Sequence, residues 1–188
     1  MRITLIVIFI FGLIYIISPT PSKISNFSPL PDSLKSDEPG DTIQNPNTTA
    51  YFSNFKREEI TKFYKQDFKD KFWFGKFLPE VSLNHPPLYA KDIIRDQINV
   101  TFLEEYLYPL KGSLFIGGYE PTIENDLLYR RHNFVGDHIQ LKGKGPYYLS
   151  KTTIRFYQAP ILGSLIVYMG IWIASLAIFE LFKKVSKL

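Results

Sequence analysis

The chain has 188 residues, no cysteine and a formal charge of +4, the length of about one domain. Without cysteine it has no disulfide framework, no thiolate nucleophile and no Cys-based zinc site. Setting aside Arg2, Lys183, Lys184, Lys187 and Glu180 leaves 18 of the 22 basic and 17 of the 18 acidic residues in the interior. That balance is too even for a nucleic-acid footprint.

The apolar residues collect at the two ends. Residues 3–17 read ITLIVIFIFGLIYII, broken only by Thr4 and Gly12. At 1.5 Å per residue this spans roughly 22 Å, short of the ~30 Å hydrocarbon core. An N-terminal anchor and the core of a signal peptide both fit that length. The exit, Ser18-Pro19-Thr20-Pro21, lacks the small-residue cleavage pattern, which favours an uncleaved anchor. Residues 159–182 form the second candidate span, uncharged from Ala159 to Phe179, with Pro160 at its start and a basic tail, 183–188, beyond it. Lysines just past a helix end favour the cytoplasmic side. The expectation is therefore two spans in a plasma or inner membrane, both termini cytoplasmic, and the middle of the chain extracytoplasmic. Gly170 and Ala174 have small-xxx-small spacing, with Gly163 above them and Gly12 as a possible facing notch.

Residues 18–47 are rich in Pro, Ser, Asp and Asn and read as an extended tether. A domain, 48–158, follows. Ile60, Phe63, Tyr64 and Phe68 recur at helical spacing and predict a helix over 56–68, with Ser53 or Asn54 as its cap and Glu58 and Glu59 in its first turn. Lys71 to Phe74 predict a short strand with Phe72 and Phe74 inward. Its alternation of lysine and aromatics also allows contact with a membrane surface. A second helix is expected to open at Asn84-His85-Pro86-Pro87. Its period runs through Tyr89, Ile93, Val100, Leu103, Tyr106, Leu107 and Leu110, with a break before Pro109. Gly112 to Pro121 predict a strand ending in a turn, and neither phosphate-loop pattern is present.

The densest polar cluster is Arg130-Arg131-His132-Asn133-Phe134-Val135-Gly136-Asp137-His138. After it, His138 to Lys142 alternate polar and apolar. Gly143 to Pro146 mark a turn, and 147–157 are rich in β-branched and aromatic residues. The prediction is a β-hairpin with Ile154 and Phe156 on one face and Thr153, Arg155 and Tyr157 on the other. His132 and His138 have no recognised zinc spacing, and a third ligand would have to come from afar, such as His85. Asp137 and His138 are adjacent, and no serine sits in a nucleophile elbow. A polar loop at a strand start explains these residues without metal, cofactor or catalysis. Three Asn-x-Ser/Thr sequences, at Asn26, Asn47 and Asn99, lie in the segment expected outside.

The expected fold is thus an α+β extracytoplasmic domain, two or three helices with a small antiparallel sheet, bracketed by two transmembrane helices. The expected function is non-catalytic: a membrane-anchored accessory or scaffold subunit that docks another membrane or envelope component. The expected partners are the lipid bilayer and a protein of a membrane complex, not nucleic acid. Two other classes compete: an extracytoplasmic ligand-binding or sensor module, and a membrane-anchored hydrolase using His85, His132, Asp137 or His138.

Overall fold

The computed structural model describes residues 2–42, 47–83, 101–119, 139–140 and 145–186. The chain divides into two compact units. One comprises the two apolar helices and the turn Pro109–Lys111; the other is an α+β domain, Thr20–Tyr108 and Gly112–Gln158. The described helices are α1 (Arg2–Ile17), α2 (Pro39–Thr42), α3 (Arg57–Asp70) and α4 (Ile161–Val185). The described strands are β1 (Leu34–Lys35), β2 (Thr48–Ser53), β3 (Val81–Leu83), β4 (Thr101–Tyr108), β5 (Gly112–Tyr119), β6 (Ile139–Gln140), β7 (Tyr147–Tyr148) and β8 (Ser150–Gln158).

Six strands form one antiparallel sheet in the order β1-β2-β8-β5-β4-β3. The strand period is plain in β8, where Ser150, Thr152, Ile154 and Phe156 are buried and Lys151, Thr153, Arg155 and Tyr157 are not. In β4 the buried set is Phe102, Glu104, Tyr106 and Tyr108. Helix α3 packs its Ile60, Tyr64 and Phe68 face into the core with Leu114, Ile116, Ile154 and Phe156. Its first turn is closed by the Glu59 carboxylate, which accepts from the Lys56 amide at 2.9 Å, rather than by Ser53 or Asn54. Buried Glu104 is held by Tyr106, whose hydroxyl donates at 2.6 Å, and by Arg57 at 3.4 Å.

Four expectations are corrected. Residues 101–108 are strand, not helix, because Phe102, Tyr106 and Tyr108 bury on one face while Leu103 stays exposed. Residues 73–76 form a 3₁₀ turn instead of a strand. Phe72 is buried before it, and Phe74 is only half-buried. The long strand β8 belongs to the main sheet, between β2 and β5. Among the described residues, the expected hairpin pairs Ile139↔Tyr148 and Gln140↔Tyr147. The supposed tether is packed over residues 20–42: Phe27 and Leu30 enter the core, and β1 pairs with β2. Residues 84–100 of the expected second helix lie outside the described residues.

Candidate functional site

The helical unit is organised by the three-residue turn of the β4–β5 hairpin. Each of its residues is tied to a helix end. The Pro109 carbonyl accepts from the Tyr15 hydroxyl at 2.8 Å. The Leu110 carbonyl accepts from the Ser164 hydroxyl at 2.8 Å. The Lys111 carbonyl accepts from the Ala159 amide at 3.0 Å. Lys111 also donates from Nζ to the carbonyls of Ile16 and Ser18, at 2.9 and 2.7 Å. These carbonyls end α1, where an α-helix leaves its last acceptors unsatisfied. Only 2% of Lys111 is exposed. Burial pushes its ammonium down to about 8. Leu110 adopts a φ of 61°, a left-handed conformation that costs a non-glycine residue about 1–2 kcal/mol.

Beyond the turn the helices run antiparallel. The Tyr168 hydroxyl donates to the Phe9 carbonyl at 2.8 Å, and the Phe9 ring stacks on Tyr168 and meets Trp172 edge-on. Gly12 makes room for the Tyr168 ring: a Cβ there would lie 2.2 Å from the tyrosine oxygen. The α1-facing stripe of α4 is therefore Ser164, Tyr168 and Trp172. At about 100° per residue, Gly163, Gly170 and Ala174 fall on the opposite side. A Cβ at Gly163 or Gly170 would meet no heavy atom within 4 Å. So Gly12 serves as a notch for a tyrosine of α4, not for Gly170 and Ala174. An apolar notch of 480 Å³ opens further along the pair, lined by Leu5, Ile6, Phe9, Met169, Trp172 and Leu176 among others.

Carried along both helices, this register brings Ile3 level with Ala177 and Ile178, and Ile17 level with Gly163 and Ser164. The apolar length of α1, Ile3 to Ile17, thus lies within the uncharged stretch of α4, Ile161 to Phe179. Of the described helices, only α4 is long and apolar enough by itself to cross a membrane.

The domain carries two polar features of its own. Lys151 lies 2.9 Å from both Glu38 and Asp41, with its ammonium over the Phe52 ring, and Ser36 donates to Asp41. Burial works against the Lys151 charge, but hydrogen bonds and the charges of the two carboxylates outweigh it and raise its pKa. Separately, an open groove of 530 Å³ is lined by Ser25, Phe27, Ser33, Lys35, Thr49 and Tyr51 among others. The buried Thr49 hydroxyl on its wall has no hydrogen-bond partner among the described residues.

His85, Arg130, Arg131, His132, Asp137 and His138 lie outside the described residues. Among the described residues, no group of three or more His, Asp or Glu could hold a metal ion. The residues that organise the helical unit, Lys111, Leu110, Ser164 and Tyr168, were not singled out by the sequence. The signal available was Pro109-Leu110-Lys111-Gly112, a turn sequence between two aromatic-rich runs. The chain matches no protein-family model, no curated protein and no solved structure.

Proposed function

We propose that the protein is a non-catalytic, membrane-anchored accessory or scaffold subunit. In this reading α1 and α4 both cross the bilayer, with their charged outer ends cytoplasmic and the α+β domain on the far side. The register supports two spans, since α1 accompanies α4 over most of its uncharged length. The hydrogen bonds from Lys111 and Tyr168 to α1 carbonyls support a retained α1.

The observation that carries the subunit reading is the free face of α4. Its Gly163–Gly170–Ala174 side is turned away from α1 and open. Small residues four apart let another helix backbone approach closely in lipid. A third helix, from a partner in a membrane complex, fits there. The test is cross-linking mass spectrometry on native membranes through the lysines of the domain. Reproducible links to one other protein, lost on Gly170→Leu with the internal links kept, are expected. Internal links alone, with full peptide coverage, overturn the scaffold.

One observation favours a second reading, ligand binding by the domain. The groove beside β2 holds the unpartnered Thr49 hydroxyl together with Lys35, Ser25 and Ser33. A buried hydroxyl left unpaired costs about 1–3 kcal/mol, which a hydroxylated ligand would recover if the groove wall opened to admit it. A saturable thermal shift of the full chain with polyols or sugars, lost on Thr49→Val, would favour this reading over the scaffold.

A further inference from the structure

The sequence Lys71-Phe72-Trp73-Phe74-Gly75-Lys76-Phe77-Leu78 is only half absorbed by the core. Phe72 is buried, with its ring 4.9 Å from that of Tyr108. Trp73, Phe77 and Leu78 are 62%, 75% and 43% exposed. Large aromatics are ordinarily among the best-buried side chains, so two exposed ones in one short turn need a reason.

The turn that presents them is fixed, not frayed. Gly75 is buried so closely that a Cβ would lie 1.9 Å from the Lys69 carbonyl oxygen. Only glycine permits the 3₁₀ turn to fold back on the end of α3. The far side is tied by Glu80, which pairs with Lys65 at 3.0 Å and Lys69 at 3.6 Å. The fold therefore holds Trp73 and Phe77 out.

Their position in the domain is specific. Tyr108, Gly112 and Gln158 form one row across β4, β5 and β8. At this row the chain leaves for the helical unit and returns. Thr20, the first residue of the domain after α1, is bonded there to Gln158 at 3.3 Å. Two residues separate Gln158 from Ile161, the first residue of α4, a reach of about 10 Å at most when extended. The aromatic turn is fastened to the same row: the Tyr108 hydroxyl donates to the Leu78 carbonyl at 3.0 Å. Because β3 is antiparallel to β4 with Val81 opposite Leu107, the chain running back to Leu78 passes beyond the end of β4. The exposed aromatics thus stand at the end of the sheet from which α4 departs.

We propose that the Trp73–Leu78 turn is a bilayer-contact element: Trp73, Phe77 and Leu78 seat at the lipid headgroup boundary of the membrane that α4 crosses, on the side of the domain. The proposal rests on the membrane-spanning reading of α4. An indole with one wet edge and one apolar face suits that boundary, and exposed Lys76 can reach phosphates from the same turn. The element would set the tilt of the domain on the surface and limit which of its faces a partner can meet.

The chain has two tryptophans, Trp73 and Trp172, one for each question. The full chain is reconstituted in phosphatidylcholine–phosphatidylglycerol vesicles, brominated either high on the acyl chain or near its end. Emission is compared among wild type, Trp73→Phe and Trp172→Phe. If Trp172→Phe misfolds, subtracting Trp73→Phe from wild type still gives the share of Trp73. The expected result is blue-shifted Trp73 emission, quenched more by shallow than by deep bromine, with Trp172 quenched more by deep bromine. If Trp172 is quenched while Trp73 responds to aqueous iodide but not to bromolipid, the contact element is overturned and the span stands. If Trp73 is shielded from both quenchers, a protein surface covers it and the lipid assignment is overturned. If neither tryptophan meets bromine, the span itself has failed, and the proposal with it.

Discussion

Replacing Lys111 with methionine gives the sharpest test of the helical unit, because it keeps the side-chain length and removes the buried charge. The ordinary lysine pKa is 10.5, and in the folded chain burial brings Lys111 down to about 8. The folded state therefore binds fewer protons than the unfolded state between these values, and stability rises with pH across that window. The favoured neutral form is fully present above the unfolded pKa, and its advantage is lost as pH falls through the folded one. At about 1.36 kcal/mol per unit, the two values give about 2 kcal/mol of added stability between pH 7 and pH 9.5. Burial also raises the pKa of Tyr108, to about 12, with the Glu80 charge adding to it, and those of Tyr64 and Tyr106 are raised as well. Such groups lose stability only above the unfolded tyrosine value near 10, so the measurement stops below it. The assay is denaturant unfolding of the full chain carrying Trp73→Phe in a mild detergent, followed by the emission of Trp172, which packs edge-on to Phe9. With Lys111 in place the protein should gain about 2 kcal/mol relative to Lys111→Met across the window. Equal pH dependence of the two proteins would refute the buried, charged clamp.

Three further outcomes are expected. Gly12→Val places side-chain atoms where the Tyr168 ring lies, so the Tyr168–Phe9 hydrogen bond is lost and the helices separate. A maleimide cross-link between cysteines introduced at Leu5 and Leu176, on opposite walls of the notch, should form in the parent and fail in the variant. Lys151→Met leaves the buried Asp41 carboxylate with Ser36 but without its cation, at a cost of about 2–3 kcal/mol for a partly screened pair. Hydrogen exchange should then quicken over residues 34–42 and not in β4 and β5; no change would show that the lysine is not what holds this segment. The absence of native cysteine makes topology directly readable with an impermeant maleimide. Cysteines at Arg2 and Ser186 should label from one side of the membrane and one at Thr153 from the other, while labelling of Arg2 and Ser186 from opposite sides would rule out a spanning α1.

Where the sequence was legible, one physical signal dominated. Ile60, Tyr64 and Phe68 have only helical spacing in common, and α3 lies within two residues of its expected bounds. Ile154 and Phe156 alternate with polar neighbours, and their shared face is the buried one. Reading failed where two signals overlapped. Leu103, Tyr106, Leu107 and Leu110 fit a helical period, and Phe102, Tyr106 and Tyr108 fit a strand period in the same residues. The inward position between them is Glu104, whose burial depends on Arg57 and Tyr106 and leaves no trace in a hydrophobic pattern. Phe27 and Leu30 are isolated apolar residues in a Pro- and Ser-rich stretch. Their burial comes from contacts remote in sequence, such as the Phe27 ring 4.9 Å from that of Phe156. Lys111 was unreadable for the same reason, since a lysine in a turn is ordinarily solvated.

The short first helix is the point on which the membrane reading turns. Sixteen residues reach about 24 Å, less than the ~30 Å of an average hydrocarbon core. Taken alone, α1 fails a length criterion that α4 passes. The pairing changes the comparison, because most of the surplus of α4 lies past Ile178, where Phe179–Val185 includes Glu180, Lys183 and Lys184. Ile3–Ile17 of α1 falls four residues short of the uncharged Ile161–Phe179 of α4, so both would meet one slab only if it thins locally around α1, at a fraction of a kcal/mol per Å. At the other end, the last carbonyls of a helix leaving lipid must find donors, since unsatisfied backbone groups are costly there. Lys111 supplies two such donors to α1, at Ile16 and Ser18, and the Leu110 carbonyl receives the Ser164 hydroxyl of α4. Were α1 removed, the Lys111 ammonium would lose both acceptors and the Tyr15 ring it lies over. The turn is thus bonded to the ends of both helices, which is the arrangement that the proposed pair of spans requires.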